Sequence, residues 1–486
     1  MKSLTLHPAQ TDALNLFADG AACIVTGQQV GFLGGPMYTV TKIATMVSRV
    51  RHRRLAGTPA VGVFWVEDND HDLDEASRAT LFHKDHGSVI VSARDYSTTI
   101  ERQSVASCTF DERVSNLGAN IAGLFQEEAG AGHQVEELLQ TTYVAGRSWA
   151  DAFLHLLNRW FAGEGVLFIK ASTVRKMGLM TEILGQDLRD PGLSADFVDR
   201  ATRKLVDAGY HAQINPSRFN VFHHDEQDRR RKIHVQDTDG VIARIGDRTV
   251  TFGELSAMLE AAPEGFSPSV VLRPLVQDHV LESSEMVAGP GELAYLCQLT
   301  ELYERYGVCM PILIPRSGAT FVSQRIERLL QKERREAMMF LRSWKDIESE
   351  TTVEALDADL ISTIRKGNQE MELLAGELLR HVESFDKSLS GAVLAMRKAM
   401  EKELTTLERK VSSAARRKQE EQLKRLREIH FFIFPDERLQ ERAFAPISLM
   451  RVARESAIGW IIDVIGNHPE GHHFLIDESA YGTQQT

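Results

Sequence analysis

Six short apolar, β-branched runs punctuate the first two thirds of the chain: AACIV (21–25), VGVFWV (61–66), SVIVSA (88–93), GVLFIK (165–170), VVLRPL (270–275) and PILIP (311–315). None alternates cleanly between apolar and polar residues, which is the pattern of strands buried on both faces. Helical periodicity fills intervals at 37–54, 135–162 and 292–306. Strands separated by helices predict a doubly wound parallel α/β sheet. Two stretches break the rhythm. Residues 94–164 are mostly helical in pattern, and 175–265 mix short helices with a polar stretch, His223 to Leu255, that reads as a hairpin. Both read as insertions, leaving core segments at 1–93, 165–174 and 266–321.

From about residue 322 to 430 the character changes. Proline is absent, charge is dense, and Val393, Met396, Met400, Leu404, Leu407, Val411 and Ala414 follow in steps of three and four. This is close to a heptad and predicts a long antiparallel helical hairpin with coiled-coil packing. Its apolar stripe needs cover from its own partner helix or from a second subunit, and a homodimer is expected. Residues 431–486 are expected to return to the core, with FFIFP (431–435) and HHFLIDES (472–479) as strands or extended segments.

At 486 residues the length suits two to four structural units. No apolar run reaches membrane-spanning length, and the N-terminus lacks a basic start followed by an apolar core, so neither a membrane nor a signal peptide is expected. Four cysteines lie far apart with no CxxC pair, which points to reduced thiols in the cytoplasm. A net charge of −12 argues against a nucleic-acid partner. The locally basic tract at 391–430, with 11 Lys/Arg against 6 Asp/Glu, reads as a solvated helix face. His468, His472 and His473 have no cysteine or paired acid beside them to complete a ligand set, so no metal site is expected.

Candidate chemistry gathers where strands end. TGQQVGFLGGP (26–36) follows the first run and opens a helix. Its glycines allow close backbone approach, and N–H groups at a helix start can hold an anion; the same residues can equally be a tight turn that packs helix on sheet. The spacing is neither the dinucleotide fingerprint nor the phosphate loop. EDNDHDLDE (67–75) places six carboxylates around His71 at the end of the second run. Crowded carboxylates suit Mg²⁺, a substrate ammonium or an Arg/Lys partner, although Asp72 or Asp74 could simply cap a helix. Arg273 and Asp278, the GPGE turn (289–292), and Arg316, Ser317 and Thr320 after PILIP bring polar groups to the same edge.

Taken in order, TGQQVGFLGGPMYTVTKI, VFWVEDNDHDLDE, RPLVQDHVLESSEMVAGPGELAYLCQL, PILIPRSGATF and FPDERLQERAF resemble the cysteine-adding ligase family of bacillithiol biosynthesis. The resemblance covers nearly the whole chain and is weakest in 100–265 and in the helical arm. It implies a Rossmann-like core with two inserted connecting segments and a coiled-coil arm that mediates dimerisation. It also implies that the cysteine carboxyl group is joined to the amine of glucosaminyl-malate. The fold it implies is related to nucleotidyltransferases and class I tRNA synthetases, yet neither an HxGH after the first strand nor a KMSKS-type lysine loop is present.

Amide formation from a free carboxylate needs activation, for which ATP with Mg²⁺ is the expected donor; no tightly bound cofactor is expected. His71 is the candidate general base, with Asp70 and Asp72 binding ammonium or Mg²⁺. The substrate- or nucleotide-binding candidates from the first loop and helix are Thr26, Gly27, Gln28, Gln29, Gly31, Gly34, Gly35, Pro36, Tyr38 and Lys42. Asp74, Glu75, Arg273 and Asp278 join them, as do Gly289, Pro290, Gly291, Glu292, Tyr295 and Arg316. Lys42 and Arg273 or Arg316 would neutralise the acyl intermediate. A non-catalytic nucleotide-binding coiled-coil dimer is the alternative. A nicotinamide oxidoreductase is disfavoured because no G-x-G-x-x-G follows the first strand.

Overall fold

The structure, a computed structural model, describes residues 5–83, 87–124, 131–215, 217–235, 242–354, 358–418, 420–448, 456–468 and 470–476. Parts of the expected segments lie outside these residues: 1–4 and 84–86 in the first core segment, 125–130 in the first insertion, 216 and 236–241 in the second, 355–357 and 419 in the arm, and 449–455, 469 and 477–486 in the C-terminal return.

Five strands form the core sheet: β1 (Ala22–Gln29), β2 (Ala60–Glu67), β3 (Leu167–Lys170), β4 (Ser283–Ala288) and β5 (Ile312–Pro315). They are all parallel, in the spatial order β3-β2-β1-β4-β5. Helices cover both faces, so alternate side chains enter two different cores. Along β2, Phe64 and Val66 pack with Ile24 and Phe168, while Val63 and Trp65 pack with Cys23, Val25 and Leu167. This is why the runs read as continuous rather than alternating.

Three expected elements differ. VVLRPL is not a strand: Val271 and Leu272 lead into a helix, Arg273–Leu281. Pro274 lacks the N–H that a ladder needs and suits a first helical turn. The strand in this region is β4 instead, disguised by a buried Glu285 whose charge is met by Arg49 at 2.8 Å and Arg53 at 2.5 Å. SVIVSA does pair as Gly87–Ser92, but antiparallel to Arg78–His83 in a separate hairpin. FFIFP continues the helix Glu420–Ile433, with Leu423, Leu426, Ile429 and Ile433 buried at helical spacing.

The segment between β2 and β3 holds that hairpin and the helices Leu117–Gly123, Ala131–Thr142 and Trp149–Phe161. Between β3 and β4 lie the helices Ala171–Lys176, Thr181–Arg189 and Leu193–Asp207 and an antiparallel sheet. Its strands, in spatial order, are Phe266–Pro268, Val221–His224, Arg230–Val235, Ile242–Ile245 and Arg248–Thr251. Residues 441–476 belong to this same compact unit, where His472–Ile476 pairs with Gly318–Val322.

Val322–Gln440 form a second unit. Its helices Ala358–Phe385 and Ser390–Lys418, joined by a short turn, pack against each other as a hairpin. Val393 is buried, but Met400 and Leu407 remain 44% and 45% exposed. Among the described residues no helix is long and apolar enough to cross a membrane.

Candidate active site

After β1 the chain crosses to β2 on one side; after β4 it crosses to β5 on the other. The order therefore reverses between β1 and β4, and ligands of open α/β sheets sit beyond the carboxyl ends at such a point. A cavity of about 590 Å³ lies there. β1 contributes Gln28 and Gln29, the turn after β4 contributes Gly289, Pro290, Gly291 and Glu292, and Arg316 follows β5. Tyr38, Lys42, Asp70, Glu75, Arg273 and Tyr295 complete the expected residues that line it.

Lys42 is 2% exposed. Its ammonium meets Glu292 at 2.5 Å and donates to Gly27 O and Gln28 Oε1, each at 2.9 Å. Three donors have three acceptors, so Lys42 is a strut of the wall rather than a group left over for an acyl intermediate. Burial lowers its pKa, while Lys42 and the Gly289 N–H hold the Glu292 carboxylate below its ordinary range despite burial. Arg316 is similarly occupied, ion-paired with the buried Glu441 at 2.6 Å. Arg273 donates to the Tyr295 hydroxyl at 2.7 Å and has no ion-paired carboxylate among the described residues. Burial works against its charge, but Glu67, Glu292, Asp70 and Tyr295 outweigh that and raise its pKa.

The glycine loop does not line the cavity. Strand β1 runs on through Thr26 to Gln29, so the first part of TGQQVGFLGGP is strand, with Thr26 bonded to Val287 O at 2.8 Å. Gly27 sits so close to β2 that a Cβ would meet Trp65 O at 2.9 Å. Farther on, Gly31 abuts Gly35, with a Cβ at Gly31 coming 2.4 Å from the Gly35 Cα, and Gly34 has φ +93°. The N–H groups of Gly34, Gly35 and Met37 donate to Gly31 O, Phe32 O and Phe444 O, and that of Leu33 to the Tyr143 hydroxyl. Gly31, Gly34, Gly35 and Pro36 thus form a packing turn, with those donors already used.

The acidic run divides by role. Asp70 lines the cavity and is bonded by the His71 N–H at 2.7 Å, Arg230 at 3.1 Å and the Gln29 amide. Burial would raise its pKa, but His71 and Arg230 hold it well below the usual carboxylate range. Glu75 also lines the cavity, and its pKa is raised by burial and by Asp72 and Asp70. The other expected residues lie outside the lining. Asp72 caps the helix Leu73–Ser77 through Glu75 N at 3.0 Å, and Asp74 is an exposed partner of Arg94. His71 turns toward Phe222, with its Nδ1 3.4 Å from Asp70. Asp278 is buried under the Tyr303 hydroxyl at 2.6 Å, and burial pushes its pKa up to about 6.

Several lining residues went unanticipated. The second insertion supplies Phe222, Arg230 and Lys232, and FPDERLQERAF supplies Arg442. The strand period held a signal for Arg230. In RRR (229–231), Arg229 and Arg231 reach Asp225 at 2.7 and 3.3 Å, and Arg230 must face the other way. Arg442, Arg316 and Lys42 surround the Tyr38 ring at 5.9, 5.3 and 5.9 Å.

A parallel sheet in this order, with a two-signed cavity at its switch point, defines a Rossmann-like protein with a small-molecule site. Residues 1–317 match the family described as bacillithiol biosynthesis BshC, N-terminal Rossmann-like domain, and 319–476 match the BshC C-terminal coiled-coil domain. The chain belongs to this family. It is 30% identical over 420 residues to the "Putative cysteine ligase BshC" of Salinibacter ruber, spanning 86% of this chain and 76% of that one. Proteins of the same name from Chlorobaculum tepidum and Staphylococcus aureus are each 28% identical, over 93% and 68% of this chain and 82% and 62% of theirs.

Proposed function

We propose that this protein is a ligase that joins the carboxyl group of cysteine to the amine of glucosaminyl-malate. The observation that carries the reading is the two-signed cavity in a chain of this family. Glu67, Asp70 and Glu75 lie on the β2 side. Arg273 and Arg442 lie in the same cavity with no ion-paired carboxylate among the described residues. Both substrates carry an amine and carboxylate, and the malate moiety carries two carboxylates, so each needs both kinds of wall.

Oxide is a poor leaving group, so the cysteine carboxyl must be activated, and ATP with Mg²⁺ is the proposed donor. Arg273 suits a phosphate or acyl-phosphate anion. The glycine turn lies outside the cavity lining, and its Leu33, Gly34, Gly35 and Met37 N–H groups are used. Among the described residues no group of three or more metal-ligating side chains could hold an ion, so Mg²⁺ is expected to enter with the nucleotide.

Glu75 is the proposed proton acceptor for the attacking amine, in place of His71. It lines the cavity and its carboxyl is already biased toward holding a proton. Asp70, pinned by Arg230 and Gln29, orients the ammonium before that transfer.

The exposed heptad residues Met400 and Leu407 support a homodimer through the helical hairpin. The four unpaired cysteines support a reducing, cytoplasmic setting. The test is turnover by purified protein with cysteine and glucosaminyl-malate, with ATP·Mg²⁺ present or omitted, the product followed by mass. Product with ATP alone supports the reading, and AMP or ADP then separates adenylate from acyl phosphate. Nucleotide binding without turnover in either condition supports the non-catalytic dimer.

A further inference from the structure

Behind the cavity wall a chain of polar groups runs through Asp228, His224, Ser267 and Arg230. His224 Nδ1 lies 2.6 Å from Asp228 Oδ1, and His224 Nε2 lies 2.7 Å from Ser267 Oγ. Arg230 Nε reaches the same Ser267 Oγ at 3.3 Å. His224 is 6% exposed and Ser267 fully buried.

The hydrogen-bond directions follow from chemistry. The Asp228 carboxylate accepts from Ser107 Oγ at 2.5 Å and from Arg175 Nη2 at 3.0 Å. A carboxylate only accepts, so His224 Nδ1 is the donor. In the neutral ring Nε2 is then the acceptor, and the Ser267 hydroxyl donates to it. That leaves the Ser267 lone pairs facing Arg230 Nε–H. The order carboxylate, imidazole, hydroxyl is that of a hydrolase triad, but this hydroxyl is sealed from the cavity and spends its lone pairs on a guanidinium. It is not a nucleophile.

Every nitrogen of Arg230 is held. Nε is on Ser267, Nη2 donates to Pro268 O at 2.5 Å, and Nη1 reaches Asp70 at 3.1 Å. The guanidinium carbon lies 4.0 Å from the centre of the Phe222 ring. Three of its five N–H groups are thus spent, one of them on Asp70, so Arg230 fixes the Asp70 carboxylate at the cavity wall. We infer that Ser267 and His224 are positioning residues, which lock the Arg230 guanidinium in one orientation and so aim the Asp70 carboxylate at the substrate amine. The part concerning the amine rests on the proposed ligase reading; the locking of Arg230 does not.

The test uses the full chain with three substitutions. Ser267→Ala removes the hydroxyl, His224→Leu removes the acceptor behind it, and His224→Gln offers an amide oxygen in its place. Two readouts are taken. The first is the exchange rate of the Arg230 Nε–H in ¹⁵N spectra, assigned with Arg230→Lys. The second is the steady-state kinetics with glucosaminyl-malate. Ser267→Ala and His224→Leu should speed Nε–H exchange at least tenfold and raise KM for glucosaminyl-malate about tenfold, with kcat changed less than threefold. His224→Gln should stay within threefold of the parent in both. Unchanged Nε–H exchange in folded Ser267→Ala overturns the locking, whatever the kinetics. Faster exchange with unchanged KM overturns the aim at the amine. A parent protein without turnover removes the ligase reading, while the exchange rates still decide the lock.

Discussion

Replacing Lys42 by methionine should destabilise the sheet unit sharply, because the cation is a strut. Its side chain is 3% exposed and that of Glu292 21%. Lys42→Met keeps the aliphatic stem but removes the partner of Glu292 and strands two acceptors, Gly27 O and Gln28 Oε1. Breaking a buried pair from one side costs about 3–5 kcal/mol. The partial exposure of Glu292 places the expected loss at about 3 kcal/mol. Adding Glu292→Gln removes the uncompensated charge while keeping an acceptor for the Gly289 N–H, which now donates at 2.8 Å. The double variant should therefore recover at least about 1 kcal/mol of that loss. Native-state hydrogen exchange at β1 and β4 amides measures both, and it avoids a two-state treatment of a chain with two units. A loss below about 1 kcal/mol in Lys42→Met, or a double variant less stable than the single, refutes the strut.

Three further outcomes follow from other parts of the molecule. Glu75→Gln should lower kcat by about 10²–10⁴-fold with the fold intact, measured by the rate of thiol product formation; a change under threefold removes Glu75 as proton acceptor. His224, whose pKa burial pushes down from 6.5 to about 4, gives an acid-sensitive stability. Above pH 6.5 the ring is neutral in both folded and unfolded chains. As pH falls toward 4 the unfolded chain binds the proton first, and up to about 3 kcal/mol is lost. Native-state hydrogen exchange at the Val221–His224 amides, followed at several pH values, should show this slope flattened in His224→Gln. In the helical hairpin, Met400→Glu with Leu407→Glu should convert a dimer to a monomer in sedimentation while leaving helicity unchanged, and a parent that already sediments as a monomer contradicts the proposed dimer.

The sequence carried the strand ends of β2 and β5 because apolar runs there stop at acid or arginine, whereas β1 runs four residues past its apolar run to Gln29. It concealed β4, since a buried Glu285 reads as a polar interruption until Arg49 and Arg53 are seen to meet it from the helix after β1. It also misplaced the value of the glycine loop: close chain packing and ligand approach demand the same residue, and here the neighbours are Trp65, Gly35 and Pro446. The acidic run showed that carboxylates collect beyond β2 but not which faces inward. That is settled by the turn geometry, in which Asp72 caps a helix while Asp70 meets Arg230. Arg230 and Arg442 come from segments about 160 and 370 positions away from β2's end, and no local pattern reports such a meeting.

The amide bond is proposed to form in the cavity at the switch point. Single-turnover formation of cysteinyl product should therefore be compared between the parent and Arg273→Met, the latter removing the cation with no carboxylate partner. Product should form with the parent, and at least about a hundredfold more slowly in a folded Arg273→Met protein. Equal rates in the two would contradict it.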